Sequence, residues 1–249
     1  MILTIYFFIL GLIIGSFLNV VIYRLPEKES IVKPGSHCPQ CNTRLKAIDL
    51  IPVVSFVING GKCRYCGASI SWQYPLVEIL TAFFFLAAYF KFGLTVELFI
   101  ILLLLSALIA ISLIDYKYMI IPNVITYSGI FIGLLAAMIF NHLTFFSSLL
   151  GIIIPALILL AVALIFKGGM GMGDVKLASM LGAFLGTINT LAGIFIGSLL
   201  GSIIGLTLMG AGIMERKDRI PFGPFICFGA VIMIFFGDFL IDWYLSLFF

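Results

Sequence analysis

The chain contains 249 residues, of which 63% are hydrophobic and only 10% are charged, and its formal net charge is +3. Soluble globular domains are roughly 45–50% apolar and about 25% charged. The composition therefore excludes a soluble globular enzyme, a coiled coil, a disulfide-stapled secreted module and a disordered chain. We predict an all-α membrane protein that crosses the bilayer several times.

Membrane-spanning helices need about 20 mostly apolar residues, and the sequence predicts eight passes, of which the sixth is short. The first pass lacks the basic start and the cleavage site of a signal peptide. Six passes are predicted at Ile2–Tyr23, Pro75–Phe92, Leu94–Ile114, Val124–Phe140, Phe145–Phe166 and Phe222–Phe249. The apolar stretch Leu177–Met214 is too long for one span, and the residues Gly186–Asn189 are predicted to break it into two helices.

The basic residues predict the orientation of the chain. With eight passes, thirteen of the fourteen Lys and Arg residues fall on one side, and Lys91 alone falls on the other. Cytoplasmic loops carry an excess of Lys and Arg, so we expect this side to be the cytoplasm and both termini to lie outside. The thirteen residues are Arg24, Lys28, Lys33, Arg44, Lys46, Lys62, Arg64, Lys117, Lys167, Lys176, Arg216, Lys217 and Arg219.

One long polar loop, Arg24–Trp72, follows the first pass and contains two C-x2-C pairs. The first pair is Cys38 and Cys41, and the second is Cys63 and Cys66. Four thiolates at this spacing are typical of a closed, structural zinc site, whereas two disulfides are the alternative. The cytoplasm keeps thiols reduced, and a small loop gains stability from a metal, so zinc is favoured.

Two aspartates are predicted at the cytoplasmic edge of the membrane. Asp115 ends the third pass, and Asp174 follows Gly171 and Gly173 in the segment between the fifth and sixth passes. Ionisable groups at membrane depth are functional candidates, and two neighbouring carboxylates that share a proton can activate water. The alternative is structural, in which each aspartate caps a helix or pairs with Lys117 or Lys176.

The ordered motifs resemble those of the type IV prepilin peptidases, along nearly the whole chain. The similar segments are Gly15–Val20, Tyr23–Pro26, Asp49–Pro52, Gly60–Gly67, Tyr74–Glu78, Ile114–Tyr116, Ile121–Asn123, Gly171–Leu177 and Ile220–Phe225. The resemblance implies a GxGD-type membrane aspartyl protease, with Asp115 and Asp174 as the catalytic pair. It also implies the inner membrane of a bacterium, prepilin or pseudopilin substrates, and cleavage after a leader glycine, usually before phenylalanine.

The resemblance further implies a second reaction, N-methylation of the new terminus with S-adenosylmethionine. No nucleotide-binding fingerprint marks the site, so its residues rest on analogy. The candidates are Gly60, Gly61, Glu78, Asp49 and Arg24, each of which has a structural alternative as a turn glycine, a loop ion pair or a snorkelling arginine.

These expectations divide the chain into a first helix at 1–23, a cytoplasmic four-cysteine domain at 24–73 and a peptidase domain at 74–249. The competing interpretations are a transporter or channel, a peptidase without methyl transfer, an archaeal-type preflagellin peptidase and a scaffold. Against a transporter, no inverted repeat is visible and the acids lie at one face. Preflagellin peptidases lack the cysteine domain. Membrane lipid is an expected partner, nucleic acid is not, and the sequence does not predict an oligomeric state.

Overall fold

A computed structural model of the protein describes residues 1–140, 142–165, 170–215, 218 and 220–247. Its regular elements are all helical. Seven of the helices described are long and apolar enough to cross a membrane. In chain order the elements are α1 (Ile2–Arg24), the 3-10 helix η1 (Ala47–Leu50), α2 (Val54–Ile58), α3 (Gln73–Phe92), α4 (Val96–Tyr118), α5 (Asn123–Phe140), α6 (Phe145–Ile165), α7 (Met172–Gly210) and α8 (Gly223–Ser246).

The chain divides into two compact units, Met1–Ala110 and Ile111–Phe249. The first unit is built on α1 and α3, which pack together along their length. Close approach is possible because Gly11 and Gly15 face the backbone of α3, where a Cβ would lie 2.4 Å and 2.6 Å from Cα atoms. The polar segment between α1 and α3 carries η1, α2 and the four paired cysteines.

The second unit contains the last residues of α4 and the helices α5, α6, α7 and α8. Helix α7 contacts α5, α6 and α8. A buried hydrogen bond joins two of these helices, because the Ser148 hydroxyl of α6 donates to the Ala183 carbonyl of α7 at 2.9 Å. Helix α7 is therefore the central element of this unit.

Helix α7 is 39 residues long and is interrupted at Gly186, whose φ of 73° and ψ of 179° are not helical. This backbone conformation requires glycine. The interruption lies at the first residue of the predicted break, Gly186–Asn189, so the prediction of two helical segments is confirmed. The structure differs in that the two segments follow each other directly.

The two segments of α7 run in opposite directions. The first runs parallel to α5, and the second runs antiparallel to α8. The neighbouring pairs are Gly129 with Met180 and Gly133 with Ala183 for the first segment, and Gly193 with Gly229 and Gly197 with Phe225 for the second. Helix α5 begins beside Lys176, and α8 begins beside Asp115. Helices α5 and α8 therefore start at the same end of the unit, where α7 begins and to which its second segment returns.

A glycine stripe on the second segment of α7 forms the contact with α8 and the residues before it. Gly193, Gly197, Gly201 and Gly205 face Gly229, Phe225, Phe225 and Ile220, respectively. A Cβ at Gly197 would lie 2.4 Å from the Phe225 carbonyl oxygen, so the helices meet closely only because these side chains are absent. The stripe thus serves packing within the chain. Of the basic residues used to predict orientation, Lys167, Arg216, Lys217 and Arg219 lie outside the described residues.

Candidate active site and metal centre

Asp115 lies in the last turn of α4 and is buried, with 6% of its surface exposed. Its Oδ2 atom accepts a hydrogen bond of 2.9 Å from the backbone N–H of Gly223, which lies 108 positions along the chain. A Cβ at residue 223 would lie 2.6 Å from the same oxygen. Glycine is therefore required for the backbone to reach the carboxylate this closely.

The start of α8 explains why the Gly223 amide is available. The first N–H groups of a helix have no partner within the helix. In α8, the next residue is Pro224, which has no N–H, and the amides of Phe225 and Ile226 both donate to the Phe222 carbonyl. The Gly223 amide is left without a partner in this first turn, and Asp115 accepts its hydrogen bond.

Asp174 lies in the first turn of α7 and is also buried, with 7% of its surface exposed. Its Oδ2 atom accepts a hydrogen bond of 3.2 Å from the Gly171 amide, so the aspartate caps the start of the helix. A Cβ at Gly173 would lie 3.0 Å from the Ile121 Cβ atom. The two glycines before Asp174 thus serve a hydrogen bond and a close contact with the segment between α4 and α5.

The structure brings Asp115 and Asp174 close enough for their charges to interact. The same two carboxylates interact with the buried Cys227 of α8, which is an apolar neighbour of the pair. The nearby Lys176 is held elsewhere: its ammonium donates to Asn123 Oδ1 at 2.8 Å and lies 5.4 Å from the centre of the Tyr127 ring. The predicted alternative in which Lys176 neutralises Asp174 is therefore not formed.

A buried pair of carboxyl groups such as Asp115 and Asp174 can act as a general acid and a general base. Two like charges in a medium of low dielectric constant cannot both ionise easily, so a close carboxyl pair holds one proton between them. The ionised member can remove a proton from water, and the protonated member can donate to a carbonyl oxygen. Both side chains are anchored by backbone amides, so their oxygens are positioned before any substrate arrives.

The four paired cysteines converge in the first unit. Their sulfur atoms all lie within 4.8 Å of one another, and this cluster could hold a metal ion. All five cysteines are free thiols, so the disulfide alternative is not formed. Hydrogen bonds from the Thr43 hydroxyl and amide lower the pKa of Cys41 to about 6. The amides of Tyr65 and Cys66 donate to Cys63 and lower the pKa of that thiol.

The two cysteine pairs are carried by two turns of the same design. In each turn, the first cysteine carbonyl accepts the amide four residues later, from Asn42 at 2.8 Å and from Gly67 at 2.9 Å. Each of these donor residues has a left-handed backbone, with φ of 54° at Asn42 and 74° at Gly67. Each turn is flanked by an antiparallel bridge, between His37 and Arg44 and between Lys62 and Ser69. The repeat orients both pairs of sulfur atoms towards one centre.

Two of the residues predicted for methyl transfer have structural partners. Arg24 is buried and donates to three loop carbonyls, of Ser30, Pro34 and Gly35. Asp49 forms an ion pair of 3.2 Å with Arg64. A hydrogen bond from the Tyr65 hydroxyl, together with the Lys46 amide, lowers the pKa of Asp49.

Glu78 is the buried acid of the first unit. Its Oε2 atom accepts a hydrogen bond of 2.7 Å from the Val53 amide, and Ser16 lies beside the same carboxylate. The neighbouring Asn19 amide donates to the Tyr74 carbonyl at 3.1 Å. The sequence indicates Asn19 only as a polar residue suited to a helix packed in a bundle, and the structure adds its hydrogen bond to the start of α3.

Gly60 and Gly61 form the turn that follows α2, and both have left-handed φ values of 61° and 69°. A Cβ at Gly61 would lie 3.2 Å from the Phe56 ring, whereas nothing lies within 4 Å at Gly60. The Gly61 carbonyl accepts the Ile70 amide at 2.7 Å. The turn therefore joins α2 to the second cysteine pair, and Gly60 leaves open space beside it.

The fold and the sites define a multi-pass membrane protein with a buried aspartate pair and a four-cysteine domain. Residues 9–92 match the bacterial peptidase A24 N-terminal domain, and residues 102–206 match the type IV leader peptidase family. The chain belongs to the type IV leader peptidase family. This assignment does not favour the transporter, channel or scaffold interpretations.

Curated relatives are similar over almost the full chain. A prepilin leader peptidase/N-methyltransferase of Bacillus subtilis (strain 168) is 37% identical over 242 residues, which cover 96% of this chain and 97% of that protein. Proteins of the same name from Pseudomonas aeruginosa and Xanthomonas campestris pv. campestris are 36% and 35% identical, over 92% and 95% of this chain and 89% and 92% of theirs. No solved structure matches the chain.

Proposed function

We propose that this protein removes the leader peptides of type IV prepilins or pseudopilins in the inner membrane of a bacterium and then N-methylates the new terminus. The observation that carries the peptidase assignment is the buried Asp115–Asp174 pair, anchored by the amides of Gly223 and Gly171. The names of the relatives, prepilin leader peptidase/N-methyltransferase, support both the leader peptide as substrate and the methyl transfer.

The cleavage step follows from the proposed sharing of a proton. One aspartate removes a proton from water, whose oxygen attacks the scissile carbonyl carbon, and the other donates its proton to the carbonyl oxygen. The tetrahedral intermediate then breaks its C–N bond: the departing amine takes the proton that the first aspartate removed from water, and a hydroxyl of the intermediate returns a proton to the second aspartate. Both aspartates thereby recover their starting protonation, and no covalent bond to the enzyme forms.

The distribution of basic residues supports a cytoplasmic position for the four-cysteine domain, with both termini outside. In this orientation Asp115 and Asp174 lie at the cytoplasmic rim, where the leader of a prepilin meets its apolar helix. The proposed domains remain a first helix at 1–23, a cysteine domain at 24–73 and a peptidase domain at 74–249.

We assign zinc to the four cysteines. Zn–S bonds of about 2.3 Å in a tetrahedron place the sulfur atoms about 3.8 Å apart. The Sγ atoms of Cys38 and Cys66 lie 3.8 Å apart, and the other thiols meet the same cluster. Bound zinc would crosslink the two turns and supply folding energy, and four protein ligands leave no position for catalysis.

S-adenosylmethionine is the proposed methyl donor; when bound, it would transfer its methyl group from sulfur to the pilin amine nitrogen and leave as S-adenosylhomocysteine. Glu78 is the carboxylate that we assign to this reaction, where it removes the proton from the pilin α-ammonium. Gly60 is assigned to this reaction because the space beside its backbone is open, and Gly61 is assigned to holding the turn that follows α2. We assign structural roles to the other two candidates. Asp49 stabilises the domain through its ion pair with Arg64, and Arg24 does so through hydrogen bonds to loop carbonyls.

Mass spectrometry of a co-expressed type IV prepilin tests the proposed function. The expected product lacks the leader and carries the mass of one added methyl group on its first residue. An unprocessed pilin, from cells in which the protein is shown to be inserted, would overturn the peptidase assignment. A shortened but unmethylated pilin would overturn only the second activity.

We expect the conservative variant Glu78→Gln to lose methylation by about 100-fold or more while leader cleavage continues. Glutamine keeps an oxygen for the Val53 amide but cannot accept the proton of the ammonium group. The matched control is Glu97→Gln, which changes an exposed glutamate at the start of α4. Methylation at the wild-type rate in Glu78→Gln would remove this residue from the reaction.

We expect Gly223→Ala to lower kcat for leader cleavage by about 100-fold, with a small change in KM. The new methyl group would occupy space 2.6 Å from Asp115 Oδ2, so the carboxylate must move away from the amide. Gly210→Ala is the control, because outside its own stretch of helix nothing lies within 4 Å of the added Cβ. A normal kcat in Gly223→Ala would show that this hydrogen bond does not position the catalytic group.

A further inference from the structure

The segment Ala47–Ile58 contains η1 and α2, lies outside the membrane-spanning helices and is strongly apolar. Of its twelve residues, Asp49 alone is charged. An apolar stretch of about 10–14 residues is too short to span a bilayer but suits an interfacial segment. We call it the apolar segment.

Helix α2 presents its aliphatic side chains outwards. Phe56 is buried and packs on the Trp72 ring, with the ring centres 4.9 Å apart. On the outside, Val57 and Ile58 are 68% and 72% exposed, and Trp72 is 76% exposed. A domain in water covers its outer surface with polar groups, so this contiguous apolar surface indicates an interaction site. The other exposed aliphatic residues of the segment are Ile48, Leu50, Ile51 and Val54.

The single charge of the segment is directed into the domain. The Asp49 carboxylate pairs with Arg64 at 3.2 Å and accepts the Tyr65 hydroxyl at 2.8 Å, and its side chain is only 5% exposed. Both partners lie between Cys63 and Cys66. The neutralised aspartate therefore ties the apolar segment to the metal centre and adds no charge to its outer surface.

A hydrogen bond sets the depth of the segment relative to α3. The Val53 amide donates to Glu78 at 2.7 Å, and Glu78 is the sixth residue of α3. At a rise of about 1.5 Å per residue, this level lies roughly 7 Å inside the helix start. Leu76 and Ile79, which flank that level on α3, are exposed apolar residues of a membrane-spanning helix. The apolar segment thus reaches the depth at which α3 meets lipid.

We propose that the apolar segment and Trp72 lie in the boundary between the lipid headgroups and acyl chains, and hold the four-cysteine domain on the bilayer surface. Interfacial elements bury an apolar face about 5–10 Å into this region, and tryptophan prefers the same depth. Lipid is favoured over a protein partner because the surface continues at the depth of the lipid-facing residues of α3 and offers no charge for specific recognition. The proposal requires membrane insertion but not the peptidase assignment.

Depth-dependent quenching tests the proposal in full-length protein reconstituted into phosphatidylcholine vesicles with brominated acyl chains. The chain has two tryptophans, so Trp243→Phe leaves Trp72 as the single native probe. A second probe is Val57→Trp with Trp72→Phe and Trp243→Phe. The control places the single tryptophan at Ser69, an exposed position beside the second cysteine pair.

We expect bromines near the headgroup end of the chains to quench Trp72 and Val57→Trp at least about twofold more than Ser69→Trp. Metal content confirms that each variant keeps its domain folded. Quenching of both probes no stronger than at Ser69 would overturn the proposal. Weak quenching with blue-shifted emission would show that a protein surface covers the segment, and would overturn it equally.

Discussion

Asp115→Asn and Asp174→Asn are each expected to reduce leader cleavage by at least about 1,000-fold, while the protein still inserts and folds. Asparagine has nearly the shape of aspartate and keeps an oxygen for the amide of Gly223 or Gly171. It cannot hold or transfer the proton that the pair shares. The loss should therefore appear in kcat, measured on a prepilin peptide with purified protein in detergent.

The control for these two variants is Asp242→Asn, which changes an exposed aspartate in the last turns of α8. Because Asp115 and Asp174 act as one unit, the double variant should be no slower than either single variant. Wild-type cleavage by Asp115→Asn or by Asp174→Asn would remove that residue from the mechanism. Additive losses would indicate that the two carboxylates act in separate steps.

Loss of the metal is expected to have the second large effect. Purified protein should contain about one zinc per chain, and Cys63→Ser should lose it and expose the loop between α1 and α3 to protease. Structural zinc contributes about 10–16 kcal/mol to the folding of small domains, which far exceeds what a loop of this size can replace. Methylation of a co-expressed pilin should then disappear.

Leader cleavage should survive Cys63→Ser within about tenfold, because the aspartates and their amide donors all belong to the compact unit Ile111–Phe249. Cys227→Ser is the control for metal content, since this cysteine lies in α8 and outside the sulfur cluster. Retention of full zinc in Cys63→Ser would contradict the four-ligand site. Equal loss of cleavage and methylation would contradict the functional independence of the two units.

Several features could be predicted from the sequence because they depend on local pattern. Apolar length predicts the membrane helices, since every buried backbone group must be satisfied within its own helix. The spacing of Cys38, Cys41, Cys63 and Cys66 predicts the sulfur cluster that the structure shows. The break in the long apolar stretch is likewise predicted, at Gly186–Asn189, and the backbone is not helical at Gly186.

Other features depend on contacts between distant segments and were not predictable. The sequence does not pair Asp115 with the Gly223 amide, which lies 108 positions away and reaches the carboxylate only in the folded chain. It offered Lys176 as a partner for Asp174, but Asn123 and Tyr127 hold that lysine. It leaves Asp49 open between cofactor binding and a loop ion pair, and the structure forms an ion pair with Arg64.

Sequence alone thus determined the membrane class, the helices, the four-cysteine cluster and the two aspartates worth testing. Each of these follows from residue chemistry or from spacing along the chain. The tertiary structure decided which groups surround the aspartates and that the apolar segment is exposed at the level of Glu78. These depend on which helix faces pack together, and apolar helices that are hydrophobic on every side carry little sequence information about their neighbours.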